Sequence, residues 1–289
     1  MSYISNTKED TRRMLETIGI SSDNIDGLFR SIPKELRSGP LDIDSGRSEM
    51  EVVSYLQNLA KRNTTNLVNF IGGGFYDHYI PAMVDSLAAR TEFVTPYTPY
   101  QPEASQGTLQ AIYEFQSSIC RMTEMEVANA SLYDGGTAIY EAVMMALRVT
   151  RRNKVIMDSA VSPIYRKMIY SYTSNLNIEF VETPDPQGRL DRNQVKKLLD
   201  DNTAAVILQN PNFFGVVDDH SDISALCKEK KALLIETVYP ISLGTLKTPF
   251  EMGADIAVGE GQSLGIPLSF GGPYLGFMAT LKKHIRKMP

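Results

Sequence analysis

Apolar positions in the first ninety residues recur at helical spacing in short, interrupted runs. In TKEDTRRMLETIGI, Met14, Leu15 and Ile18 share one face behind Thr7, which reads as an N-cap, and Gly19 stands near the end. SSDNIDGLFRSIP and PKELR read as single turns of helix. SEMEVVSYLQNLAKRN sets Val52, Leu56 and Leu59 on one face, with Val53 beside it and charges opposite, the pattern of an amphipathic docking helix. The three glycines of IGGG, flanked by apolar residues, ask for unusual φ or a close backbone approach. HYIPAMVDSLAAR follows as a helix. EASQGTLQAIYEFQSSICRMTE predicts a long helix from Glu103, with Leu109, Ile112, Phe115 and Ile119 on its buried face.

From about residue 125 the pattern changes to alternation. MEVANASLY, NKVIMD, NIEFVE, TAAVILQN, ALLIETV, ADIAVGE and GPYLGFMAT read as strands. Between the first five lie the helical stretches DGGTAIYEAVMMALRVT, SPIYRKMIYSYTSNL, DRNQVKKLLDD and HSDISALCKEKK. Continuous apolar strands separated by amphipathic helices require crossovers, so the fold class is α/β: a mostly parallel sheet with helices on both faces. The predicted division is an N-terminal helical arm over residues 1–90 and a large α/β domain over 91–289. KKHIRKMP ends the chain just after a strand, where a small C-terminal domain would be expected; that domain is read as absent from this chain.

Composition narrows the partners. The 289 residues carry a net charge of −5 and a pI near 5.4, which argues against a nucleic-acid or anionic-membrane surface. No apolar run approaches the length of a membrane span, and the N-terminus lacks a signal peptide's apolar core, so the cytoplasm is the expected compartment. Cys120 and Cys227 stand far apart, and His78, His220 and His284 stand singly, so neither a disulfide framework nor a metal site is expected. His220 and His284 read as surface or packing histidines.

Four stretches carry candidate chemistry. TPYTPYQPEASQG, residues 95–107, holds three prolines, which stiffen a loop that presents Tyr97, Thr98, Tyr100 and Gln101. The other three fall beyond the carboxyl ends of strands, where ligands of parallel α/β sheets sit. Gly135, Gly136 and Thr137 open a helix and could cradle a phosphate, but Asp134 beside them favours a tight turn with an N-cap. Asn210 and Asn212 flank Pro211, where turn chemistry explains the amides at least as well as a ligand does. Gly261, Gln262 and Ser263 open the glycine-dense stretch 258–276, which has neither a nucleophile-elbow pattern nor a nearby histidine.

TPYTPYQPEASQGTLQAIYEFQ, YDGGTAIYEA and GQSLGIPLSFGGPYLGFMA together resemble the P-proteins of the glycine cleavage system, in the α subunit of the two-subunit form. The resemblance implies the large-domain fold of fold-type I pyridoxal-phosphate enzymes. It also implies a homologous β subunit that holds the cofactor on its Schiff-base lysine. In that pattern an Asp ends one strand and the Lys follows the next; here Tyr239 and Gln262 stand at those positions. Neither segment contains a lysine, Lys247 falls in the connection between them, and a glutamine amide forms no imine. The implied activity is that of the assembly: glycine is decarboxylated, with pyridoxal phosphate as electron sink, and the aminomethyl group passes to lipoamide of H-protein. Tyr97, Thr98, Tyr100 and Gln101, anchored by the helix from Glu103, with His78 nearby, are then expected to complete the partner's active site. The alternatives are a stand-alone pyridoxal-phosphate enzyme with its lysine elsewhere, and a non-catalytic binding protein of the same fold.

Overall fold

The computed structural model describes residues 5–21, 25–68, 70, 72–99, 101, 107–184 and 187–289. The chain forms two compact units, Met1–Val68 and Asn69–Pro289. The first contains helices α1 (Lys8–Thr17) and α2 (Glu49–Ala60) with two short 3₁₀ turns between them. Both helices start in the same way. Thr7 and Ser48 accept hydrogen bonds from the backbone of Asp10 and Glu51, whose carboxylates accept from the cap backbone in return. Leu15 is buried, whereas Val52, Val53, Leu56 and Leu59 of α2 are exposed. Residues 70–90, assigned from sequence to the helical arm, belong to the second unit. Phe75 stacks on Tyr274 at 4.8 Å, and Tyr76 packs edge-on to Tyr239. Gly72, Gly73 and Gly74 all adopt positive φ, the freedom their side-chain-free backbone allows.

The second unit continues with α3 (Ala82–Ala88), the one-turn α4 (Thr91–Val94), α5 (Gly107–Thr123), β1 (Val127–Ala128) and α6 (Gly135–Thr150). Next come β2 (Lys154–Asp158), α7 (Pro163–Thr173), β3 (Glu179–Thr183), α8 (Arg192–Leu198) and β4 (Thr203–Asn210). The remaining α-helix and strands are α9 (Ser221–Lys230), β5 (Leu233–Val238), β6 (Ile256–Glu260) and β7 (Gly276–Thr280), and a 3₁₀ turn over Lys282–Lys287 follows. The sheet order is β1-β7-β6-β5-β4-β2-β3. Strands β3, β2, β4, β5 and β6 run parallel, and β7 runs antiparallel to both β6 and β1.

Successive residues of a strand point to opposite faces, and here both faces are covered. Val155, Met157, Ala205, Ile207 and Val258 pack with α6 and α7 through Ile139, Val143 and Ile169. Ile156, Val206, Leu208, Leu234 and Phe277 pack on the other face with Ile119, Val195, Ile223 and Cys227. That two-sided burial is why these strands read as unbroken apolar runs.

The first strand differs from expectation. MEVANASLY keeps only the two-residue β1 and an isolated bridge from Leu132 to Gly276, because β7 alone offers it a pairing edge. The helix predicted from Glu103 is described from Gly107 onward; Glu103 and Tyr100 lie outside the described residues.

Candidate functional site

The parallel strands converge on one rim, where β4, β5 and β6 end at Asn210, Val238 and Glu260. A cavity of about 150 Å³ opens there, bounded among others by Tyr76, Ser162, Tyr165, Gln209, Tyr239 and Glu260. It is smaller than the roughly 300–1,000 Å³ of ordinary small-molecule sites.

Asp134 caps α6. Its Oδ1 accepts from Thr137 N–H at 2.8 Å, and Thr137 Oγ1 accepts from Asp134 N–H at 3.0 Å while donating to Asp134 O at 2.9 Å. The next backbone donor, Gly135 N–H, points at Glu260 Oε2 at 2.9 Å. The other oxygen of that carboxylate accepts from Gln262 N–H and Leu275 N–H, each at 3.0 Å. Glu260 is buried. Burial raises its pKa above the ordinary carboxylate value, against the three N–H donors that pull it down.

The glycines here make room for the chain's own side chains. A Cβ on Gly135 would lie 2.7 Å from the Tyr165 hydroxyl oxygen, and one on Gly136 would lie 2.6 Å from the Met168 sulfur. The Tyr165 phenol is pushed well above its ordinary range, first by burial and then by the Glu260 and Asp134 charges.

Tyr239 follows β5 directly and hydrogen-bonds through its hydroxyl to His78 Nε2. Its ring lies edge-on to Tyr76 at 5.8 Å, and burial raises its phenol above the ordinary value. Gln262, one residue beyond Gly261 after β6, is buried, and its Nε2 donates to Ile266 O. The structure thus brings together Tyr239, Gln262, His78 and the Gly135 turn at one rim.

Elsewhere, Tyr97 is 95% exposed, and Gln101 N–H donates to Thr98 O at 3.0 Å. Gln101 borders a groove along α5 with Pro99, Gln110, Tyr113 and Arg121, none of which bounds the Tyr239 cavity. Asn210 and Asn212 are engaged with their own loop. Asn210 exchanges hydrogen bonds with the Asp218 backbone, and Asn212 Oδ1 accepts from Phe214 and Val216 N–H.

One buried polar pair escaped the sequence analysis. His220 Nδ1 lies 2.9 Å and 3.1 Å from the two oxygens of Glu236, in the middle of β5. The signal for it is an acidic residue inside the apolar run LLIETV, which folding has to provide with a partner. Lys247, by contrast, is exposed and ion-paired to Asp219.

Pyridoxal phosphate requires an amine for its aldehyde, an acid against its pyridinium nitrogen and a place for its phosphate. After β6, after β5 and at the start of α6 stand an amide bonded to Ile266, a phenol bonded to His78 and a helix start bonded to Glu260. The residues present do not fit that group, and among the described residues no lysine bounds the cavity.

The family described as "Glycine cleavage system P-protein" matches residues 1–289. Among similar proteins, the "Probable glycine dehydrogenase (decarboxylating) subunit 1" of Oleidesulfovibrio alaskensis is 56% identical over 100% of this chain and 65% of its own length. The protein of the same name from Geotalea uraniireducens is 57% identical with the same coverage. The chain therefore spans about 65% of the length of these curated relatives. A crystal structure of glycine decarboxylase (P-protein) of the glycine cleavage system, in inhibitor-bound form, superposes with a TM-score of 0.88 at 42% identity, covering 100% of this chain and 65% of that one. A Burkholderia pseudomallei sphingosine-1-phosphate lyase, at TM-score 0.59 and 14% identity over 90% of this chain and 64% of its own, shares the fold alone. With its whole length matched and relatives above half identical throughout, the chain belongs to the glycine cleavage system P-protein family.

Proposed function

We propose that this chain acts as the lysine-free subunit of a glycine dehydrogenase (decarboxylating) assembly. Its partner is a homologous chain that holds pyridoxal phosphate on a Schiff-base lysine. Together they decarboxylate glycine and pass the aminomethyl group to lipoamide of H-protein. The observation that carries this reading is the strand-end rim itself, where Gln262 stands after β6 and Tyr239 after β5 with no lysine beside the cavity among the described residues. Family membership and the names of the relatives support the reaction. The chemistry is supplied by the partner's cofactor; this chain contributes surface and support, in the cytoplasm.

The test is reconstitution. The full chain, alone or mixed with a lysine-bearing homologue, is given carboxyl-labelled glycine, pyridoxal phosphate and lipoyl H-protein. Labelled CO2 is expected only from the mixture. Release by the chain alone, or a borohydride-fixed lysine adduct in it, would instead support a self-sufficient enzyme. Failure to associate with the homologue in gel filtration would support a non-catalytic binding protein.

Tyr97, Thr98, Tyr100, Gln101, Glu103 and His78 are proposed to serve the partner's site. Tyrosine suits such a position because it presents a flat apolar face and one hydroxyl at low entropic cost. For Tyr97, whose ring stands almost wholly exposed, substitution by Ala is expected to lower assembly turnover by about three- to tenfold while co-elution persists. Unchanged turnover would remove Tyr97 from the set. His78 has a role inside this chain as well, since its ring nitrogen holds the Tyr239 hydroxyl.

A further inference from the structure

We propose that Glu260 is a specificity-determining residue that closes this chain to phosphate-bearing cofactors, by placing the chain's own carboxylate where a phosphate would bind at the start of α6. This deepens the lysine-free reading above and rests on it, but it concerns a separate barrier. Losing an amine prevents a covalent link; it does not by itself prevent a cofactor from settling in the fold by its phosphate.

Helix starts attract anions because their first N–H groups lack partners and the helix dipole is positive there. At α6 the Gly135 and Thr137 N–H groups are already engaged. Asp134 and Thr137 satisfy each other, and Gly135 N–H donates to Glu260 Oε2. The two further N–H groups that face the same point, from Gln262 and Leu275, donate to Glu260 Oε1. An entering phosphate would find these donors occupied and would meet an existing negative charge in a buried setting, where repulsion is poorly screened. The space is filled as well. Tyr165 and Met168 already stand closer to Gly135 and Gly136 than a Cβ would tolerate.

Glu260 is therefore a positioning residue with two effects. It replaces an external anion, and it ties α6, the turn after β6 and the start of β7 to one carboxylate. A chain that merely drifted from a cofactor-binding ancestor need not have filled the position with a group of the same sign and hydrogen-bonding sense. Here the substitute accepts three backbone donors, as a phosphate oxygen cluster would.

The experiment restores the amine with and without the carboxylate. The full chain and the variants Gln262→Lys, Glu260→Ala/Gln262→Lys and Glu260→Gln/Gln262→Lys are incubated with pyridoxal phosphate. The new amine condenses with the aldehyde, releasing water, and borohydride delivers hydride to the C=N bond and fixes it. Adduct at position 262 is read by peptide mass. The expected order is background for the unaltered chain and near background for Gln262→Lys. The Glu260→Ala/Gln262→Lys variant should carry at least about tenfold more adduct, and inorganic phosphate should compete for it while chloride at equal ionic strength should not. Should that variant fail to keep its circular dichroism spectrum, Glu260→Gln/Gln262→Lys carries the test, since it keeps the side chain's bulk and removes the charge; its adduct should also exceed that of Gln262→Lys. Adduct in Gln262→Lys equal to that of the double variants would overturn the role of Glu260 and leave the lysine-free reading standing, and so would folded double variants that show no gain. Adduct at one native lysine of the unaltered chain, above the background that exposed lysines such as Lys247 give and competed by inorganic phosphate, would overturn the lysine-free reading itself.

Discussion

Gly259→Ala is expected to destabilise the chain by more than about 3 kcal/mol, near the upper end of what overpacking costs. Gly259 lies in β6 opposite Val238 of β5 and Phe277 of β7. An added Cβ would stand 2.3 Å from the Val238 carbonyl oxygen and 2.5 Å from Phe277 Cζ. The first neighbour is backbone inside a paired strand, and the second is a ring buried to 1% exposure. Neither is the loose end of a flexible side chain, so relief requires β5 and β6 to separate, at the expense of ladder hydrogen bonds. Urea denaturation checks the expectation. A second substitution, Phe277→Leu, should recover only a minor part, because the Val238 oxygen stays in place. A loss under about 1 kcal/mol would mean that the sheet yields here far more easily than its burial implies.

The His220–Glu236 pair should respond asymmetrically. His220→Leu leaves Glu236, which is 0% exposed, without its partner and is expected to cost about 3–5 kcal/mol. Glu236→Leu leaves an imidazole that can shed its proton, so about 1–3 kcal/mol is expected. The double variant should lie closer to the unaltered chain than His220→Leu does, since it removes both buried polar groups together. The pair also predicts a pH dependence. Burial, the largest influence, lowers the affinity of His220 for its proton, but the Glu236 charge and hydrogen bond outweigh it, with Asp218 adding to them. The net pKa lies above the ordinary 6.5. A group whose pKa is raised by folding contributes stability that is complete below its unfolded pKa and fades as pH rises through the folded one. Denaturation midpoints should therefore fall above neutral pH by an increment that Glu236→Gln abolishes. An unchanged slope in that variant would assign the increment to other groups.

The alternation after residue 125 was legible because two-sided burial writes strands as apolar runs that no amphipathic helix imitates. TAAVILQN corresponds residue for residue to β4. The caps Thr7 and Asp134 were legible from local chemistry, as were the three glycines at 72–74, each with positive φ. MEVANASLY was overextended because its apolar residues also serve α5 packing and a single bridge, a distinction that depends on which edge β7 leaves open. Tyr239 and Gln262 could be placed because strand ends are local events. Their bonding could not: His78 meets Tyr239 across 161 residues of sequence, and Glu260 meets Gly135 across 125. Nothing in VGEGQSLG separates a glutamate that ends a strand from one that neutralises a distant helix start.

The reversal of direction at β7 has a mechanical consequence. Since β6 and β7 are antiparallel, residues 261–275 leave and re-enter the sheet at the same rim, with no crossover over either face. The two feet of this arch, Gln262 and Leu275, are clamped by one carboxylate, while its crown carries Phe270 fully in the open. Lengthening or shortening the crown should leave the clamp undisturbed, whereas a change at either foot would be transmitted to both strands and to the helix at once.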